Sequence, residues 1–368
     1  MKIQSDIKLD FDDILLVPHR TKTASRKHVS IERQFQFYHS ERNWNGIPLM
    51  GANMDTTGTF SMHHRLSSHN IITCLHKHYD IDEVIKYCQR YKSPDCLWFS
   101  MGIKERDFHR LYRLKDSLDH LPNICIDVAN GYTDDFVDAC ADVRSFVNDS
   151  IIMAGNVCTA DMVQELILHG GVDIVKVGIG PGSACTTRLK TGVGYPQLSA
   201  IMECSHAAHG LKSNDKKLGR ICADGGCRNA GDICKAFAAN ADFVMLGGIL
   251  SGTDECEGEW EYETEPLVLG VGQLPRGKSP SNRKKSLKFY GMSSKMAQEK
   301  HGSGLKDYRT SEGRILTVPY KGPVETIILD ILGGLRSCCA YIGATSIKDM
   351  SKCAEFVQVS RTHFDQSL

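Results

Sequence analysis

Eight short apolar runs, each about the length of a strand, recur along this chain with helix-length gaps between them. They occupy 47–53, 71–76, 97–102, 124–129, 151–157, 174–179, 221–226 and 243–248, and the one wide gap follows Cys185. Runs that are apolar on both faces belong to a parallel sheet covered by helices. Between them lie amphipathic stretches such as Thr159–His169, which starts on a Thr cap with Asp161 in its first turn and closes at Gly170. Eight βα units is the number that closes a TIM barrel. The predicted fold class is therefore α/β, a (β/α)8 barrel forming a single domain over 1–368, with its strands between 47 and 248. An open doubly wound sheet is the alternative. The barrel is preferred because polar residues and glycines gather at the C-terminal end of nearly every strand, the active face of a barrel.

Composition narrows the function classes. Of 368 residues, 41% are hydrophobic and 24% charged, which is ordinary for a globular chain with a large core. Lys+Arg and Asp+Glu both number 44, so a general nucleic-acid binder, which would carry a basic excess, is not expected. No apolar run is long enough to span a membrane, and the start, MKIQSDIKLDFDD, lacks the core of a signal peptide. The 15 cysteines, an odd number, point to reduced thiols in the cytoplasm. No zinc site is expected, because no pair of Cys-x-x-Cys motifs is present.

Most intracellular cysteines are small buried hydrophobes. Cys185 has a different setting. Ile174, Val175 and Val177 read as a buried strand that Gly178, Gly180 and Gly182 break, and Cys185 follows among Ser183, Thr186 and Thr187. Successive glycines let backbone N–H groups turn toward an anion. A thiol displayed beside such a loop suits covalent catalysis on a phosphorylated substrate. Asp224-Gly225-Gly226 and Gly247-Gly248 end the seventh and eighth runs, where barrels often bind phosphate. The same glycines would also serve as plain tight turns.

Beyond the eighth run, 254–263 is acidic and 276–285 basic, so 251–290 is predicted to be a solvated surface insertion. A polar loop segment and closing helices are predicted over 291–342, helical from Val324 to about Ile342, with Gly333-Gly334 ahead of Arg336 and Ser337.

GPGSACTTR, the two glycine pairs, Tyr290-Gly-Met-Ser-Ser294 and Tyr308-Arg-Thr-Ser-Glu-Gly313 together resemble the IMP dehydrogenase/GMP reductase family, on its reductase side. The likeness runs from Phe11 to Leu335 and is specific in combination. It implies a (β/α)8 barrel, a homotetramer, that converts GMP and NADPH to IMP, NADP+ and ammonia. By the same resemblance Cys185 is the nucleophile, and Thr187 and Glu312 handle the proton on the departing amine. Ser183, Asp224, Gly225, Gly226, Gly247, Gly248, Gly291, Met292, Ser293, Arg309, Ser311 and Gly313 would line the nucleotide. Ser25, Arg26, Lys77, Asp127, Asn156, Gly178, Ile179, Arg336 and Ser337 would meet the cofactor. Carbonyl groups of Gly180, Gly182, Cys185 and Arg188 would hold a monovalent cation, potassium.

Two readings compete. IMP dehydrogenases share the barrel and cysteine, but most insert regulatory modules after the second strand, where this chain has only Lys77 to Cys96. Their mobile flap carries an Arg-Tyr pair that activates water, whereas the pair here runs Tyr308-Arg309. A catalytically silent nucleotide sensor is the other reading, against which Cys185, Thr187 and Glu312 are all present. The segments 211–220 and 254–288 look longer than in known members, and no G-x-G-x-x-G marks a Rossmann site.

Overall fold

The computed structural model describes residues 3–23, 25–91, 95–264, 282–302, 308 and 310–360. All eight apolar runs are strands: β1 (Leu49–Gly51), β2 (Ile72–Cys74), β3 (Leu97–Met101), β4 (Asn123–Asp127), β5 (Ile152–Val157), β6 (Ile174–Val177), β7 (Arg220–Asp224) and β8 (Phe243–Leu246). Each pairs in parallel with the next, and β8 returns to β1, so the barrel closes and the open-sheet alternative falls.

Helices follow every strand. They are α1 (Phe60–Leu66), α2 (Ile81–Arg90), α3 (Glu105–Ser117), α4 (Asp134–Phe146), α5 (Ala160–Leu168), the short α6 (Thr187–Thr191), α7 (Gln197–Gly210), α8 (Ala230–Ala238), α9 (Lys295–His301) and α10 (Val324–Ile342). α10 has the bounds expected from its sequence. Local chemistry starts several of them: Thr59, Asp80 and Asn229 accept backbone N–H bonds at the N-termini of α1, α2 and α8. The Thr cap expected for α5 is not made. Thr159 holds the N-cap position without capping, and its hydroxyl bonds the Tyr132 hydroxyl at 3.0 Å instead.

Two apolar cores result. One fills the space between strands and helices; the other fills the barrel interior with Met50, Cys74, Trp98, Cys125, Met153, Cys222 and Met245. A hairpin, Arg33–Gln36 with Asn43–Gly46, closes the floor of the barrel, laying Phe35 and Trp44 against Phe243. The described cavity lies at the opposite, C-terminal rim.

Within 251–290 the described residues, 251–264 and 282–290, correct the expectation of a solvated loop. Trp260–Thr264 (β9) and Asn282–Tyr290 (β10) pair antiparallel, and Ile315–Pro319 (β11) adds a third strand. The charges that read as solvation lie on that sheet, with Ser286 bonding Glu261 and Lys288 bonding Glu259, while Leu287, Phe289 and Tyr290 turn inward. Alternation in 286–290, not overall charge, carried the strand signal. The 276–281 part of the basic run lies outside the described residues. In 211–220, Lys212–Ser213 and Lys216–Lys217 form a two-residue hairpin whose Asn214 and Asp215 take φ of 48° and 62°, the primed turn that suits such a ribbon.

Candidate active site

A cavity of about 660 Å³ opens at the C-terminal rim of the barrel. Among its lining residues are Cys185, Thr187, Ser183, Asp224, Gly225, Gly226, Gly247, Gly248, Gly291, Met292 and Ser293, together with Lys77, Asp127, Asn156, Gly178 and Ile179. Most residues singled out from the sequence thus converge on one space.

The β6 strand ends at Val177, and the glycine loop after it turns Cys185 back over the barrel mouth. The segment 312–314 laces onto that loop. Thr186 N–H donates to the Glu312 carbonyl (2.8 Å) and Arg314 N–H to the Ala184 carbonyl (2.9 Å), an antiparallel bridge across Cys185 and Gly313. The lacing brings Glu312 to Thr187, whose hydroxyl donates to Oε2 at 2.8 Å. Cys185 Sγ lies 3.2 Å from the same hydroxyl oxygen. A hydroxyl has one proton to give. With that proton committed to Glu312, Thr187 Oγ1 accepts from the thiol, and the line Sγ–Oγ1–Oε2 is a proton path.

The other cysteines have no such path. Burial pushes the Cys140 thiol up to about 12 and those of Cys88 and Cys96 up to about 11, disfavouring the thiolate that a nucleophile needs.

Below the loop, Asp127, Asn156 and Asp224, all singled out from the sequence, gather in a buried cluster around Lys176, which sequence reasoning missed. Lys176 Nζ, in the middle of β6, contacts Asp127 Oδ1 (2.8 Å), Asp224 Oδ2 (2.7 Å) and Asn156 Oδ1 (3.0 Å). Asn156 Nδ2 in turn donates to Asp224 Oδ2 and to the Gly178 carbonyl, each at 2.7 Å. Burial opposes the charge on Lys176, yet Asp127 and Asp224 hold its pKa well above the usual lysine range. Asp127 is held low, against its own burial, by Lys176 and Lys77. A lysine inside an otherwise apolar strand was the available signal.

Asp55, buried at the rim, is a second missed residue. It accepts from Tyr290 Oη (2.6 Å), His301 Nε2 (2.7 Å) and Lys300 Nζ (3.2 Å), and His301 stacks on His78 at 3.6 Å over the cavity.

Several predicted residues fall elsewhere. Ser25, Arg26, Arg336 and Ser337 do not line the cavity; the 26–28 turn packs on α10, and Arg26 lies over the Tyr341 ring. Ser311 and Gly313 serve the lacing rather than the lining: Ser311 Oγ accepts from Lys295 N–H, and Gly313 bridges Cys185 and Ser294. Arg309 lies outside the described residues. Arg188 reaches away from the cavity to Asp10 Oδ2 at 3.0 Å, while Gly180 and Gly182 line it.

A family profile described as IMP dehydrogenase / GMP reductase domain matches residues 8–367. The chain belongs to the IMP dehydrogenase/GMP reductase family. Within that family it is 48% identical to GMP reductase 1 of Mus musculus, over 98% of each chain. It is 47% identical to GMP reductase 1 of Homo sapiens, again over 98% of both. A bacterial relative, GMP reductase of Photobacterium profundum, is 46% identical over 98% of this chain and 97% of its own. The barrel seen here is the fold that the sequence resemblance implied.

Proposed function

We propose that this protein is a GMP reductase, converting GMP to IMP with release of ammonia by way of a thioimidate on Cys185. The line from Cys185 Sγ through Thr187 Oγ1 to Glu312 Oε2 is the observation that carries this reading. An amino group leaves an aromatic purine poorly, so a thiolate adding at C2 divides one hard displacement into two easier steps. As Sγ attacks, its proton passes to Thr187 and on to Glu312. The same path returns a proton to the amine as ammonia departs. NADPH, when bound, supplies the hydride that C2 then receives. Expulsion of the thiolate restores Cys185.

Lys77, Asp127 and Asn156, which line the cavity with Asn156 and Asp127 fixed by Lys176, would meet the cofactor. Four further cofactor candidates, Ser25, Arg26, Arg336 and Ser337, lie off this cavity, so their role requires a second copy to present them, in keeping with a homotetramer. Among the described residues the carbonyls of Gly180 and Cys185 accept no backbone N–H. Free carbonyl oxygens are the donors a potassium ion takes. With those of Gly182 and Arg188 they would hold it and brace the cysteine loop. Among the described residues no helix is long and apolar enough to cross a membrane, and the enzyme is read as cytoplasmic, acting in purine nucleotide interconversion.

Mixing the protein with GMP and NADPH tests the reading at the cofactor's absorbance. NADPH loss with stoichiometric ammonia is expected, with negligible XMP from IMP and NAD+. Cys185→Ala should retain GMP binding and lose turnover by several orders of magnitude. XMP formation at a rate near that of the GMP reaction would transfer the protein to the dehydrogenase side.

A further inference from the structure

The phosphate end of the cavity is built from backbone. Gly225 and Gly226 take φ of 89° and 87°, which turns successive N–H groups to one side after β7. Among the described residues, the N–H groups of Gly225, Gly226, Gly247 and Gly248 donate to no other part of the chain. Ser183 Oγ stands 2.9 Å from where a Cβ on Gly248 would be. Such a nest supplies partial positive charge and no full cation, whereas a nucleoside monophosphate brings close to two negative charges.

Among the described residues five cations line the cavity: Lys77, Lys176, Arg106, Arg228 and Lys321. Two are committed to carboxylates. Lys176 lies between Asp127 and Asp224; Arg228 bonds Asp12 at 2.9 Å and Asp232 at 3.1 Å. Lys77 and Arg106 follow β2 and β3, two and three strands round the barrel from β8, and Lys77 Nζ rests 3.4 Å from the Asp127 carbonyl. Among the described residues lining the cavity, Lys321 is the cation at the β8 end. It follows β11 and is pinned there by its N–H to the Gly252 carbonyl (2.9 Å). Its Nζ donates to the carbonyls of Ile249 (3.2 Å) and Gly248 (3.5 Å), and among the described residues it forms no ion pair with a carboxylate.

We infer that Lys321 is the counter-charge for the nucleotide's phosphate, swinging its ammonium from the Gly248 and Ile249 carbonyls onto the phosphate that the neighbouring N–H groups cradle. This inference rests on the nucleotide reading of the cavity. A flexible four-carbon stem allows the movement, and a lysine acts on phosphate as a point charge without needing a fixed fork geometry. Nothing in the sequence singled Lys321 out. It lies beyond the glycine motifs and reaches the loop after β8 only because β11 brings the chain back beside β10.

Calorimetric titration of the intact protein with GMP, and separately with guanosine, which lacks the phosphate, tests this. Lys321→Met should weaken GMP binding about tenfold or more, the scale of a lost charge-assisted contact. Guanosine binding should stay unchanged, which also reports that the variant is folded. Lys321→Arg, which keeps the charge, should bind GMP within about threefold of wild type. Equal GMP affinity in Lys321→Met and wild type overturns the inference alone. So does a matched loss of GMP and guanosine, or a loss in Lys321→Arg as large as in Lys321→Met. A wild-type protein that binds no GMP overturns the nucleotide reading itself.

Discussion

Glu312 stands at one remove from the thiol: its carboxylate accepts from Thr187, whose hydroxyl meets Cys185. A residue placed so should matter to proton movement more than to substrate affinity. Glu312→Gln keeps the length of the side chain and removes the proton acceptor. We expect single-turnover deamination to slow by about 100-fold or more, the usual scale of general acid–base assistance, with the GMP dissociation constant little changed. A large rise in that constant at an unaltered single-turnover rate would make Glu312 a binding residue. Cys185, Thr187 and the two glycine pairs stand out in the sequence because each belongs to a short local motif, and the fold gathers them on one cavity. Lys176 and Asp55 could not, since each acquires its meaning from partners on other strands or loops: Asp127 and Asp224 for the one, Tyr290 and His301 for the other.

At the scale of elements, α10 carries two adjacent glycines, of which only Gly334 faces α8. A Cβ on Gly334 would lie 2.6 Å from the Ala230 Cβ, whereas one on Gly333 would meet nothing within 4 Å. Gly334→Ala should therefore force the helices apart and cost about 1–3 kcal/mol, the penalty of overpacking. Gly333→Ala, at an exposed helical position, should stabilise by about 0.5–1 kcal/mol through helix propensity alone. Denaturant midpoints of the two variants, moving in opposite directions from wild type, would check this; movement in the same direction would refute the packing argument. The eight strands and α10 were legible because buried runs and helical periodicity are local patterns. The sheet of β9, β10 and β11 was not. Its partners are far apart in sequence, and its exposed charges mimic a solvated loop. The floor hairpin went unread for a similar reason: its Phe35 and Trp44 gain a role only once the barrel exists to be closed.

For the molecule as a whole, buried histidines set an acid limit. Burial lowers His63 and His76 to about 4, from an ordinary value of 6.5. Both are neutral in the fold, while the unfolded chain protonates them below 6.5. Their contribution is thus complete above pH 6.5, falls as pH drops toward 4, and changes no further below that. Urea midpoints should decline between pH 7 and pH 4, and His63→Phe should flatten that decline by one proton's share; a slope unchanged in the variant would remove His63 from the account. The same barrel has a floor sealed by aromatic side chains and its described cavity at the other end. A vessel of that shape imposes a queue. On the proposed reading, whatever sits against the cysteine loop would enter before, and leave after, anything that covers it at the rim, and ammonia would depart by the opening that admitted the nucleotide.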